Sequence, residues 1–359
     1  RFMFFAKACY ELARALDVDT VHANDWHTGL LPVFCRVYGC PNDPGTVITI
    51  HNLAFQGEGD WDDFLYSSLP WETFVPGGAE YYGKFNILKA ATMYADRITT
   101  VSPTYSREIQ TPEFGMGLDS VLAGRRDAIR GILNGIDYNE WNPMTDALIT
   151  SNYDVESLGK RMENKRSLVA RFGLDWRPEV PVFGFVGRLF EQKGVDILIE
   201  ATKRLVEQDV QIVILGTGSA RYEEALRNLS HAHPGKVGAK LAFSNLLAHE
   251  IYAGADFFLM PSKFEPCGLG QLIAMRYGAI PIVRAVGGLR DTVTEPVTGF
   301  VFWEYSAREL HAAMERALAV YHDPEAYLAM RVRCMTADYS WGRSRDEYVS
   351  LYRQIAPGR

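Results

Sequence analysis

Pro181-Val182-Phe183-Gly184-Phe185-Val186, then Gly187-Arg188-Leu189-Phe190-Glu191-Gln192-Lys193-Gly194, then Val195-Asp196-Ile197-Leu198 is the stretch that decides the architecture. A short apolar run, a turn carrying two cations between glycines, and an amphipathic segment over residues 195–207 read as strand, turn and helix. The same unit recurs downstream. Strand-like runs at residues 211–215, 240–243, 257–261, 280–283 and 299–302 alternate with helical segments such as 269–277. This alternation favours a parallel sheet covered on both faces, and six such strands complete a small Rossmann-like sheet.

Upstream, strands are expected at 20–24, 47–51, 97–101 and 128–133, with helices at 30–37, 85–94 and 103–110. The opening segment reads as an amphipathic helix with Phe5, Cys9, Leu12 and Leu16 on its apolar face. Residues 56–83, rich in Trp, Gly and Pro and weakly periodic, are too long for a passive turn and read as a site-lining insertion. A charged helix at 155–172 precedes a break at 175–180, which marks the boundary between a first domain, residues 1–177, and a second, residues 178–338. A last helical segment within 339–359 is expected to cross back to the first domain. About four strands in the first half make an incomplete Rossmann-like sheet. A chain starting in mid-helix at Arg1 without an initiator Met is expected to have sequence upstream.

At 359 residues the chain exceeds one ordinary core, and 47% hydrophobic with 23% charged residues is a globular composition that excludes disorder. A net charge of −7 argues against nonspecific nucleic-acid or membrane-surface binding. No apolar run approaches the ~20 residues that span a bilayer. Five scattered cysteines, odd in number and without a CxxC, read as free thiols in a reducing compartment, with no structural zinc.

Gly216-Thr217-Gly218 lacks the third glycine of a dinucleotide fingerprint, Arg221 standing in its place, and reads as a tight strand-to-helix turn. Arg188 and Lys193 lie just past a strand, at the edge where open α/β sheets take ligands. They suit a phosphate anion, or are two solvated charges around a turn. Pro261-Ser262-Lys263-Phe264-Glu265-Pro266-Cys267-Gly268-Leu269-Gly270 also follows a strand and opens a helix, whose first-turn N–H groups suit a phosphate. Glu265 beside an anion makes sense if it binds sugar hydroxyls, which points to a nucleotide sugar; the plainer reading is a helix N-terminal charge. Gly287-Gly288-Leu289 adds a permissive turn. In the first half, Asn24-Asp25-Trp26-His27 and Thr49-Ile50-His51-Asn52 both end strands, which gathers polar residues at one sheet edge.

These motifs resemble the glycogen/starch synthase family of GT-B glycosyltransferases over nearly the whole chain. The resemblance rests on DWHTGL at 25–30, TIHNLAFQG at 49–57, VSPTYSREI at 101–109 and LNGIDYNEWNP at 133–143. It continues through GRLFEQKG at 187–194, FEPCGLGQL at 264–272, VGGLRDTV at 286–293 and YSWGRS at 339–344. It implies a GT-B fold, two Rossmann-like domains facing a cleft, the first N-terminally truncated. The implied reaction is retaining, metal-independent transfer of glucose from ADP-glucose to an α-1,4-glucan, with no further cofactor. It further implies that Arg188 and Lys193 hold the donor diphosphate, that Glu265 contacts the transferred glucose, and that the backbone of Cys267, Gly268, Leu269 and Gly270 cradles phosphate. Phe243 would offer its ring to the base where the family often has Tyr. His51 would sit at the reacting glucosyl unit with Asp25, Trp26, Asn52 and Asn134 around it. Two positions depart: Gly270 replaces a common Thr and Ile273 a common Tyr or His. The family's N-terminal Lys-x-Gly-Gly-Leu loop has no counterpart here. The implied location is cytoplasmic, or plastidial in a plant.

Two other readings compete: a GT-B transferase using UDP-glucose or another acceptor, and a noncatalytic glucan-binding fragment. A hydrolase is disfavoured, because it needs two facing carboxylates and only Glu265 has motif support.

Overall fold

The computed structural model describes residues 1–356. The chain forms two compact units, one of Arg1–Asn134 with the described residues from Gly342 onward, the other of Gly135–Trp341.

In the first unit, β1 (Thr20–Asn24) and β2 (Gly45–Ile50) are followed by three short strands, β3 (Glu58–Gly59), β4 (Glu80–Tyr81) and β5 (Lys84–Asn86). Then come β6 (Arg97–Thr100) and β7 (Ile129–Gly131). The main sheet runs β1-β2-β6-β7, parallel throughout. Every residue of β2 is buried, as suits a Thr/Val/Ile run covered on both faces. Asn24 pairs in register with Thr49, so the chain leaves β1 and β2 at the same edge.

The insertion folds into a small antiparallel sheet, β3-β5-β4, with a helix at Trp61–Tyr66. Strand β5 takes the first residues expected to be helical, and the helix starts only at Ile87, where Asn86 caps it by accepting from the Lys89 N–H. Lys89 clamps the insertion: its buried ammonium donates to the carbonyls of Pro76, Gly78 and Glu80 at 2.6, 2.9 and 2.7 Å. Burial pushes its pKa below the ordinary lysine value.

The first helix, Phe2–Leu16, packs differently from its apolar periodicity. It buries Ala6, Tyr10 and Ala13 and leaves Phe5, Leu12 and Leu16 exposed. Tyr10 decides the face, because its ring packs on Phe34 of helix Leu30–Tyr38 and its hydroxyl donates to the Gly39 carbonyl at 2.8 Å.

The second unit carries β8 (Val182–Val186), β9 (Gln211–Leu215), β10 (Val237–Lys240), β11 (Phe257–Met260), β12 (Ile280–Arg284) and β13 (Phe300–Phe302). They form one parallel sheet in the order β10-β9-β8-β11-β12-β13. The chain winds outward from β8 in one direction, then returns to add β11 on its other side. That reversal puts a topological switch point between β8 and β11, the place where open α/β sheets bind ligands. Strand β10 lies three residues earlier than its expected position at 240–243. As an edge strand it needs little apolar character, and register with β9 (Val237↔Ile212 to Lys240↔Leu215) leaves residues 241–244 as a loop between its carboxyl end and helix Asn245–Gly254.

The expected boundary after residue 177 is corrected: residues 135–177 belong to the second unit. Burial explains the difference. On helix Arg161–Arg171 the Arg161 guanidinium donates to the carbonyls of Tyr277, Tyr252 and Ala255, and Lys165 Nζ lies 2.8 Å from Asp256. The Tyr153 hydroxyl donates to the Tyr277 carbonyl, and Asp146 accepts from the Tyr277 hydroxyl at 2.6 Å. Partners beside β11 and on the helices that flank it satisfy these buried polar groups, so separating the segment from that sheet would orphan several of them. The chain returns to the first unit at Gly342. Helix Trp341–Ile355 sets Leu351, Tyr348 and Tyr352 against Val47 and Ile132, and Tyr352 bonds His22 on β1 at 2.7 Å. Among the described residues no helix is long and apolar enough to cross a membrane, and the cysteines form no disulfide.

Candidate functional site

In the second unit the turns that follow β8, β9, β10 and β11 converge. After β8 the chain passes Arg188 and Phe190, makes a short 3-10 turn at Glu191–Lys193, and enters helix Val195–Leu205 through Gly194 at φ 71°. A Cβ on Gly194 would collide with the Pro261 carbonyl, so only glycine lets this turn approach the loop after β11. Backbone bonds fix the approach: Lys263 N–H donates to the Gln192 carbonyl at 2.8 Å, and Leu189 N–H to the Thr217 carbonyl at 2.8 Å. The Gly216-Thr217-Gly218 turn is thus a backing surface for the Arg188 loop.

Lys193 and Glu265 meet. Lys193 Nζ lies 2.6 Å from Glu265 Oε2, and the Ser262 hydroxyl donates to the same oxygen at 2.9 Å. The Glu265 side chain is 8% exposed and that of Lys193 22%, so the carboxylate is enclosed while the cation reaches solvent. Arg188 is exposed, and its side chain makes no ion pair or hydrogen bond among the described residues. It lines a pocket of about 260 Å³ with Gly187, Gly216, Thr217, Phe243 and Asn245. Phe243 is 94% exposed, an apolar ring with almost no packing of its own.

Cys267 and Gly268 are buried behind Glu265, and helix Gly270–Arg276 starts after Leu269. Gly287, at φ 43°, packs so closely on the Glu265 carbonyl that a Cβ there would overlap it. The first-turn amides of this helix have no intrahelical partner. Among the described residues no three His, Cys, Asp or Glu side chains form a metal-ligating group.

In the first unit Asp25 follows β1 in a left-handed conformation, φ 55°, costly for a non-glycine residue. Its carboxylate accepts the His51 N–H at 2.8 Å, while Asn24 Oδ1 meets His51 Nε2 at 2.9 Å. His51 is therefore held at backbone and ring by two consecutive residues. Asn52 turns its side-chain Oδ1 to its own loop, accepting from Ala54 N–H at 3.0 Å. Trp26 stacks on His27 with ring centroids 4.2 Å apart and lines a pocket of about 480 Å³ with Phe55, Gln56, Gly57, Glu58 and Met116. Neither His51 nor Asn52 lines that pocket. Asn134 is the last residue of the first unit, and its side chain makes no hydrogen bond among the described residues.

Comparison with known proteins bears on this arrangement. The family model described as "Starch synthase catalytic domain" matches residues 1–124, and "Glycosyl transferases group 1" matches 169–331. A glycogen synthase of Thermodesulfovibrio yellowstonii is 42% identical over 99% of this chain and 73% of its own length. Glycogen synthase 2 of Geobacter sulfurreducens is 44% identical over 100% of this chain and 77% of its own. The chain belongs to the glycogen and starch synthase family. The solved catalytic domain of Starch Synthase IV from Arabidopsis thaliana, bound to ADP and acarbose, superposes on the synthase with TM-score 0.92 at 33% identity. That match covers 99% of this chain and 77% of the other. A sucrose-phosphate synthase from Thermosynechococcus elongatus, at 19% identity and TM-score 0.64, shares the GT-B fold.

The synthase has supporting residues that its motifs left unread. Ser262 braces Glu265; Gln56 donates to the carbonyls of Leu53 and Met116 and accepts from Asn86 at 2.7 Å; Asn24 holds the His51 ring. Ser262, Gln56 and Asn24 stand in or beside quoted motifs. His51 lies 27 residues from Asn24, and Asn86 and Met116 lie 30 and 60 residues from Gln56, so spacing carried no signal for Asn24 and Gln56. Ser262 stands only three residues before Glu265, a spacing that the sequence did offer.

Proposed function

We propose that the synthase transfers glucose from ADP-glucose to the non-reducing end of an α-1,4-glucan with retention of configuration, without a metal ion. The observation that carries the donor assignment is the pocket of Arg188, Thr217 and Phe243 at the switch-point edge of the second sheet, in a chain so similar to a starch synthase solved with ADP. The acceptor assignment draws on the acarbose in that same structure.

In this reading the base stacks on Phe243, which exposes a ring and offers no competing packing. Arg188 grips the diphosphate bidentately, and Lys193 adds a movable point charge as ADP departs. Charge builds on the leaving diphosphate during the reaction, so preorganised cations there act on turnover more than on ground-state binding. Glu265 takes hydroxyls of the transferred glucose, and the amides from Cys267 to Gly270 supply further donors to phosphate. From the first unit, His51 meets the reacting glucosyl unit, positioned by Asp25, while Trp26, Asn52 and Asn134 shape the sugar region. The test is transfer of labelled glucose into glycogen from ADP-glucose and from UDP-glucose, each with and without a metal chelator. Chelator-resistant transfer from ADP-glucose supports the reading; a UDP-glucose preference assigns the other donor, and binding without transfer a noncatalytic role.

A further inference from the structure

His51 carries the first unit's share of the proposed chemistry, and an imidazole acts differently according to which nitrogen holds its proton. Its Nε2 lies 2.9 Å from Asn24 Oδ1. An amide oxygen has only lone pairs, so the proton of a neutral ring in this contact must sit on Nε2. The Nδ1 atom then keeps its lone pair, and it makes no hydrogen bond among the described residues. Asn24 itself is held firmly: its N–H meets the Thr28 hydroxyl at 2.6 Å, and that hydroxyl donates to the Asn24 carbonyl at 2.9 Å. The next residue, Asp25, fixes the His51 N–H at 2.8 Å. Backbone and ring are both constrained, which leaves the imidazole little rotational freedom.

We propose that Asn24 is a positioning residue that sets His51 in its Nε2–H tautomer, so that Nδ1 accepts a hydrogen bond from a hydroxyl of the glucosyl unit. This rests on His51 acting at that unit. The role belongs to Asn24 and not to Asp25, because Asp25 touches only the backbone of His51. A ring in the opposite tautomer would present an N–H where the hydroxyl proton needs an acceptor, and a freely rotating ring would hold the right geometry only part of the time.

The experiment uses protein labelled with 15N in its histidines, with the His51 signal assigned by its loss in His51→Gln. Long-range 1H–15N correlation at mildly alkaline pH should show proton-bearing Nε2 and bare Nδ1 in the parent. In Asn24→Ala the signal should move to a tautomer mixture, and kcat should fall roughly 3- to 10-fold, the scale of one lost hydrogen bond. Asn24→Asp, which keeps an acceptor in place, should restore the tautomer and much of the rate. Asn24 is exposed, so its truncation leaves the core intact. A proton on Nδ1 in the parent, or an unchanged tautomer in Asn24→Ala, overturns the proposal. A shifted tautomer with unchanged kcat overturns the positioning role. Undiminished turnover in His51→Gln instead overturns the role of His51, while the tautomer readout still decides what Asn24 does.

Discussion

Lys193 Nζ stands 2.6 Å from Glu265 Oε2, joining the loop after β8 to the loop after β11 across the switch point of the second sheet. The pair balances charge beside the pocket proposed for the donor, and a diphosphate bound there would draw the more exposed Lys193 toward itself and free the enclosed Glu265 for sugar hydroxyls. Lys193→Ala is therefore expected to lower kcat at saturating ADP-glucose by roughly 10²–10³-fold while the KM for glycogen changes little. Steady-state kinetics with each substrate varied in turn checks this; an unchanged kcat removes Lys193 from the diphosphate.

Phe243 is expected to act the other way. Its ring is 94% exposed, so Phe243→Ala should leave the unfolding midpoint unchanged. Base stacking on an aromatic side chain is worth ~1–3 kcal/mol, so the KM for ADP-glucose should rise at least about fivefold with kcat nearly preserved. Equal KM values for parent and variant would place the base elsewhere.

The parallel α/β pattern and the switch-point motifs were legible because the central strands, such as β2, β8, β9 and β11, are apolar runs and each motif is contiguous. The run from Pro181 to Gly194 already contains strand, turn, cations and helix start. What escaped was fixed by distant partners. Arg161 and Lys165 look like surface charges on a polar helix, and their burial is explained by Asp256, some 90 residues on, together with distant carbonyls such as those of Tyr252, Ala255 and Tyr277. Strand β10 was displaced because an edge strand needs no apolar run, and the opening helix chose its face through Tyr10 and Phe34 instead of its exposed phenylalanines.

The Asp256 cluster gives a stability prediction. Burial alone would raise this carboxyl, but the Lys165 ammonium at 2.8 Å and the Arg161 guanidinium hold it below the ordinary range. Asp256 also accepts from Val182 N–H at the start of β8 and from the Tyr327 hydroxyl. Asp256→Ala should cost about 3–5 kcal/mol, because it leaves two buried cations uncompensated. Urea denaturation of parent and variant measures it; a loss below about 1 kcal/mol would mean that water compensates the cations.

His22 gives a pH prediction. Burial, with His51 nearby, pushes its imidazole from 6.5 down to about 4, and it bonds Tyr352 and Thr49. Above 6.5 the ring is neutral in both folded and unfolded chains and contributes no slope. Between 6.5 and 4 the unfolded chain takes a proton that the folded one refuses, so stability falls with falling pH and levels off below that window. The loss is at most about 3 kcal/mol. In His22→Gln, urea midpoints measured from neutral pH down to about pH 4.5 should fall less steeply than in the parent. Identical slopes would place this ring's titration outside the window.

The central claim is tested most directly by incubating the purified protein with glycogen and radiolabelled ADP-glucose or UDP-glucose, then following label into polymer that α-1,4-specific hydrolysis releases. The account predicts chelator-resistant incorporation from ADP-glucose, faster than from UDP-glucose and reduced by roughly 10²–10³-fold in Arg188→Ala. Faster incorporation from UDP-glucose, or an Arg188→Ala rate equal to the parent's, would contradict it.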